Sequence, residues 1–135
     1  MLAFVDANIF IRLFAAEDDH TQAARSEELL KRARAGEIDL ITGPPVLFEI
    51  AWTLSYRYKL ADEKVLDVLE AILAFPNLKV TDRELVVKAI CLAKERGGGY
   101  ADSYIAVSAS YVKADNVATF NVKDFTKLGA SLLNF

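Results

Sequence analysis

Cysteine and histidine are nearly missing from this chain: Cys91 and His20 are the only ones among 135 residues. An internal disulfide is thereby excluded, and a lone thiol suits a reducing compartment, so the cytoplasm is the expected location. One histidine argues against His-based zinc sites and Ser-His-Asp triads. Long apolar runs are missing too. None approaches the ~18 residues of a membrane span, and no basic segment precedes the first apolar stretch, which Asp6 interrupts, so neither a membrane segment nor a signal peptide is expected. Basic charge is not in excess: the formal net charge is -3 and the pI about 5.2. Nonspecific nucleic-acid binders are usually basic. Composition therefore argues mildly against that class, although Arg25, Lys31, Arg32 and Arg34 crowd one short segment.

What the chain does have is apolar residues, 53% of the total, a share that fits a sheet enclosed between helices. Its length suits one domain spanning residues 1–135. The opening stretch LAFVDANIF runs four apolar residues into an aspartate, as a strand buried on both faces does where it meets a helix. From there the pattern alternates. Helical spacing covers residues 7–14, and Asp19 with Gln22 forms a capping box for a helix to about Ala35. Residues 38–42 make a second strand. Gly43-Pro44-Pro45 precedes a helix over roughly 46–58, and Asp62 is placed to cap a helix that Pro76 ends. Residues 78–80 form a strand, Thr81 and Glu84 read as a second capping box, and Gly97 to Gly99 close the next helix. Asp102 leads a helix of small residues, 117–120 read as a fourth strand, and 131–135 as an edge strand. Short strands alternating with helices specify an α/β fold of three layers, α/β/α, around a central parallel sheet.

Carboxylates recur at the element boundaries. Asp6 follows the first strand, Glu49 lies early in a helix, Asp102 opens another, and Asp124 follows the fourth predicted strand. In a parallel sheet the carboxyl ends of strands share one edge, and the N-termini of the following helices point there, so these acids can converge. Gathered carboxylates repel, and a cation relieves the repulsion. With no sulfur or imidazole ligand nearby, the fitting ion is Mg²⁺ or Mn²⁺, whose chemistry suits phosphodiester hydrolysis. The plainer alternative is that an aspartate at a helix start is an N-cap. Against it, Asp6 and Asp102 are followed three residues on by Ile9 and Ile105, which complete no capping box. Asn8, Thr119 and Asn121 stand beside these acids, where they either orient a carboxylate or serve as turn and cap residues. Trp52 and Tyr56 suit base stacking or, more simply, packing in the core or an interface. Cys91, between Ile90 and Leu92, reads as a small core residue.

Taken together, FVDANIF, Glu49 after PPVLF, GYADSYIAV and ATFNVKDF resemble the motifs of the PIN-domain ribonucleases, most of all the toxins of VapBC toxin–antitoxin pairs. The resemblance covers essentially the full chain and rests on the order and spacing of motifs that are short individually. It implies Mg²⁺- or Mn²⁺-dependent cleavage of RNA. The implied metal ligands are Asp6, Glu49, Asp102 and an acid in the last motif, with Glu49 either a ligand or the base. It also implies a protein antitoxin as partner and a homodimer. The sequence departs from the family at one place: Asn121 occupies the fourth acidic position of many relatives, and the next acid is Asp124. Two other readings stand beside this one. One is an aspartate-based phosphotransferase built on Asp6, where a haloacid-dehalogenase-type site would want a second aspartate at Asn8. The other is a non-catalytic scaffold that binds RNA or protein.

Overall fold

The computed structural model describes all 135 residues. Strand β1 (Leu2–Phe4) leads into helix α1 (Ala7–Phe14); a short 3-10 turn and helix α2 (His20–Arg34) follow. Strand β2 (Asp39–Thr42), helices α3 (Pro44–Tyr56) and α4 (Asp62–Leu73) and strand β3 (Leu78–Val80) come next. The chain ends with helices α5 (Arg83–Arg96), α6 (Tyr100–Tyr111) and α7 (Val122–Lys127). The three strands form one parallel sheet in the order β1-β2-β3, and the helices enclose it as an α/β/α fold. Parallel neighbours require crossover connections, which α1–α2 and α3–α4 supply.

Each crossover helix turns an apolar stripe inward. Ala7, Phe10 and Ile11 of α1 are buried at i, i+3 and i+4, and Leu47, Ile50, Ala51 and Leu54 repeat that spacing in α3. Val65, Leu66, Leu69 and Ile72 do the same in α4, and Val86, Ala89, Ile90 and Ala93 in α5. These stripes and the sheet share a cluster of 25 buried residues running from Val5 to Tyr100. At the carboxyl end of the sheet, Thr42 Oγ1 donates to the Val5 carbonyl oxygen across 3.0 Å in the interior. Gly43 follows at once, and a β-carbon there would collide with Thr81 Oγ1, so glycine lets β2 and β3 end side by side. Gly97 adopts φ +70° and closes α5, as its place in the sequence predicts.

Several expectations are corrected. The stretch 117–120 does not join the sheet as a fourth strand, nor does the tail. Val117 makes a single parallel bridge to Leu132, held by Val117 N to the Ser131 carbonyl (2.8 Å) and Leu133 N to the Val117 carbonyl (2.9 Å). The far edge of β1 is left without a strand partner, and Leu2 and Phe4 are exposed. Thr81 and Glu84 do not form a capping box, because α5 starts from Asp82 in the left-handed region (φ 50°) with no side-chain cap. Asp62 does not cap α4; it lies within the first turn, behind Ala61. Cys91 and the pair Trp52–Tyr56 lie at the surface rather than in the core. Asp19 does cap α2, accepting from Gln22 N at 2.9 Å. No helix is long and apolar enough to cross a membrane.

Candidate active site

Asp102 stands in the first turn of α6, the third residue of the helix, whose N-cap Gly99 has no side chain to offer. It is therefore no cap. It is half-buried, and that burial raises its pKa above the usual carboxylate value. The nearby charges of Asp124 and Asp62 push in the same direction. Asn121 meets this repulsion directly: its Nδ2 donates to Asp124 Oδ2 at 2.9 Å and to Asp102 Oδ2 at 3.3 Å. Thr119 sets the loop that presents the amide, its hydroxyl oxygen accepting from Asn121 N at 3.0 Å. Two of the three polar neighbours singled out in the sequence thus act on the acids. Asn8 does not; it lies on the exposed face of α1, lining a groove between α1 and α2.

Asp6 and Glu49 occupy other positions. Asp6 follows β1 and caps α1 after all, its Oδ1 accepting from Ala7 N at 2.8 Å, and it remains exposed. Glu49 is exposed on α3. Its neighbour Phe48 packs its ring against Tyr104 at 4.9 Å and Tyr100 at 5.4 Å, so α3 and α6 meet beside it. No group of three acidic, histidine or cysteine side chains lies close enough to hold an ion by itself. The structure joins Asp102 and Asp124 through Asn121, and it adds one residue that the sequence reading missed. Asp62 points its carboxylate at the start of α6, 3.9 Å from where a β-carbon of Gly99 would stand. In the sequence Asp62 carries the signature of a capping residue and nothing else.

The donors at α6 fit a hard divalent ion in kind. They are carboxylate oxygens, which such ions take while keeping several waters. Two further polar atoms there have no partner: Tyr100 Oη and Ser103 Oγ, on either side of Asp102, are buried without a hydrogen bond. Burial raises the pKa of Tyr100 as well, keeping its hydroxyl protonated.

A sequence model of the PIN domain matches residues 3–130. The chain belongs to the PIN-domain family. Along this PIN domain, a VapC ribonuclease of Aquifex aeolicus (strain VF5) is 24% identical over 135 residues, a match covering 98% of this chain and 96% of that protein. The match therefore spans nearly the whole of both chains.

Proposed function

We propose that this PIN domain is an Mg²⁺- or Mn²⁺-dependent ribonuclease that cleaves RNA phosphodiesters as the toxin of a toxin–antitoxin pair. In this reading a cognate antitoxin protein restrains it, and it works as a homodimer in the cytoplasm. The observation that carries the reading is the pair of carboxylates, Asp102 and Asp124, joined by one amide at the start of a helix in a PIN fold. Similarity to a VapC ribonuclease along the whole chain supports the same substrate class.

Asp102, Asp124, Asp6 and Glu49 are the carboxylates that would hold the ion, which supplies charge neutralisation at the phosphate and acidifies water. The roles of the protein groups follow from their chemistry. Asn121 fixes the orientation of Asp102 and Asp124 through its two donated bonds. Glu49, an exposed carboxylate on α3, is suited to take the proton of the attacking water. Asp62 adds negative charge beside Asp102 and so favours a cation there.

Cleavage of defined RNAs with and without Mn²⁺ tests the proposal. EDTA is expected to abolish cleavage, and Asp102→Ala and Asp6→Ala each to lower it by more than about 100-fold, beyond what outer-shell partners of metal sites typically cost. Cleavage that survives EDTA and both substitutions would sink the assignment. One observation favours a second reading, a non-catalytic RNA- or protein-binding scaffold: an amide, Asn121, stands at the fourth acidic position, and no three acids converge. RNA left intact at every Mn²⁺ concentration selects that reading.

A further inference from the structure

The chain is acidic overall, yet one groove between α1 and α2 carries three arginines among its eight lining residues. It has a volume of about 440 Å³, and its polar walls are Asn8, Arg12, Gln22, Arg25, Glu28 and Arg32. Three guanidinium groups face one carboxylate there, whereas the whole molecule carries a net charge of -3. The positions follow helical spacing. Asn8 and Arg12 are four apart on α1, and Arg25 and Arg32 are seven apart on α2, so each pair shares a face. Seven residues at 1.5 Å each separate the two α2 arginines by about 10 Å, room for a short run of nucleotides.

The three arginines are held differently. Arg12 is fixed: its Nε donates to Gln22 Oε1 at 2.9 Å, and its guanidinium lies 3.8 Å from Asp18. Arg32 makes only an exposed 3.5 Å contact with Glu37, the kind of pair that contributes little. Arg25 makes no ion pair and stands exposed beside the groove. A planar fork of donors kept free in this way suits phosphate oxygens. Asn8 and Gln22 add the amide side chains that also bind nucleic-acid backbones. Ile9 and Leu29 supply the apolar part of the lining, and no aromatic side chain takes part, so nothing there stacks a base. The groove also meets the proposed site through the chain itself, because Asn8 lies two residues beyond Asp6.

We propose that the α1–α2 groove binds the sugar-phosphate backbone of single-stranded RNA, independently of sequence, and leads the strand toward Asp6. This deepens the ribonuclease reading and rests on it for the choice of RNA over other polyanions. The groove contributes affinity and salt dependence; target choice lies elsewhere on the surface.

The test is equilibrium binding of a fluorescein-labelled single-stranded RNA 20-mer to the full chain carrying Asp102→Asn, in EDTA, between 50 and 200 mM NaCl, so that cleavage does not enter. Adding Arg25→Gln and Arg32→Gln is expected to weaken binding about tenfold or more at the lowest salt. The slope of log K against log salt should become shallower by roughly 1.4, the value for two lost phosphate contacts on a single strand. Arg25→Lys with Arg32→Lys should keep the slope. An unchanged melting temperature shows that the double variant is folded. The same affinity and slope with and without the two arginines would overturn the proposal, as would absence of RNA binding by the parent. It is equally overturned if the arginines prove necessary for a polyglutamate peptide but not for RNA. Mn²⁺-dependent cleavage by the unsubstituted chain is measured in parallel. Its absence with arginine-dependent binding present removes the ribonuclease reading alone, and the converse result removes only the groove.

Discussion

The first hundred residues and the last thirty-five obey different packing conditions. Every helix from α1 to α5 buries residues in or against the common core, which runs from Val5 to Tyr100. Beyond Tyr100 burial nearly stops. Residues 106–109 of α6 are only half-buried, Phe120 is 93% exposed, and Phe120 and Phe135 pack on each other, ring centroids 5.5 Å apart, at the surface. Ser103, Phe125 and Leu128 are the buried exceptions. Yet two of the four acids that carry the proposed chemistry lie on the loosely packed side, where Asn121 spans Asp102 and Asp124. The tightly packed region holds the scaffold, and the sparsely packed one carries groups that a sealed core would penalise.

The largest effect should come from setting one phenylalanine against another. Phe10→Ala, in the closed core, is expected to cost about 3–5 kcal/mol, whereas Phe120→Ala should stay within about 0.5 kcal/mol. Urea unfolding of both variants measures the difference, and equal losses would erase the distinction between the two regions. A smaller effect tests how the sheet end is tied. Thr42→Val removes the buried bond to the Val5 carbonyl and should destabilise by about 1–3 kcal/mol with little change in shape.

The smallest effect lies in the acidic site and has the opposite sign. Asp102 has a raised folded-state pKa, caused first by burial and then by Asp124 and Asp62, so ionising it works against folding. That penalty is complete above the folded pKa and disappears as pH falls through it to below the ordinary carboxylate value. Asp102→Asn should therefore stabilise the metal-free protein at neutral pH, by less than about 1 kcal/mol because the site is partly exposed. The gain should vanish near pH 3, as thermal melts across pH would reveal. A destabilisation at neutral pH that shrank toward acid would mean that Asp102 is held by a partner rather than repelled by its neighbours.

Much of the scaffold was legible because its patterns are local. The apolar spacing of α1 and α4, the Asp19 cap and the glycine stop at Gly97 need only neighbours within a turn or two, and the structure reproduces them. What escaped prediction depends on distant partners. Val117–Phe120 has the composition of a strand, but a strand exists only where another edge accepts its hydrogen bonds, and here one bridge to Leu132 is all that forms. Thr81 and Glu84 spell a capping box, but Asp82 in the left-handed region takes over the start of α5. Cys91 sits between two apolar residues, yet the helix turns it outward. For the candidate site, sequence order pointed to Asp102, Asp124, Asn121 and Thr119, which do meet. It could not point to Asp62, which comes near Asp102 only because α4 and α6 begin close together.

Strand β1 has one further consequence. Val5 N donates to the Ile41 carbonyl at 2.8 Å, and the Met1 carbonyl accepts from Asp39 N at 3.0 Å, so the odd-numbered residues direct their backbone groups to β2. By the alternation of a parallel strand, Leu2 and Phe4 direct theirs away from it, toward an edge with no strand to receive them. Transferred to heavy water, the strand would therefore take up deuterium at every second position, a comb pattern that marks residue by residue where the sheet stops.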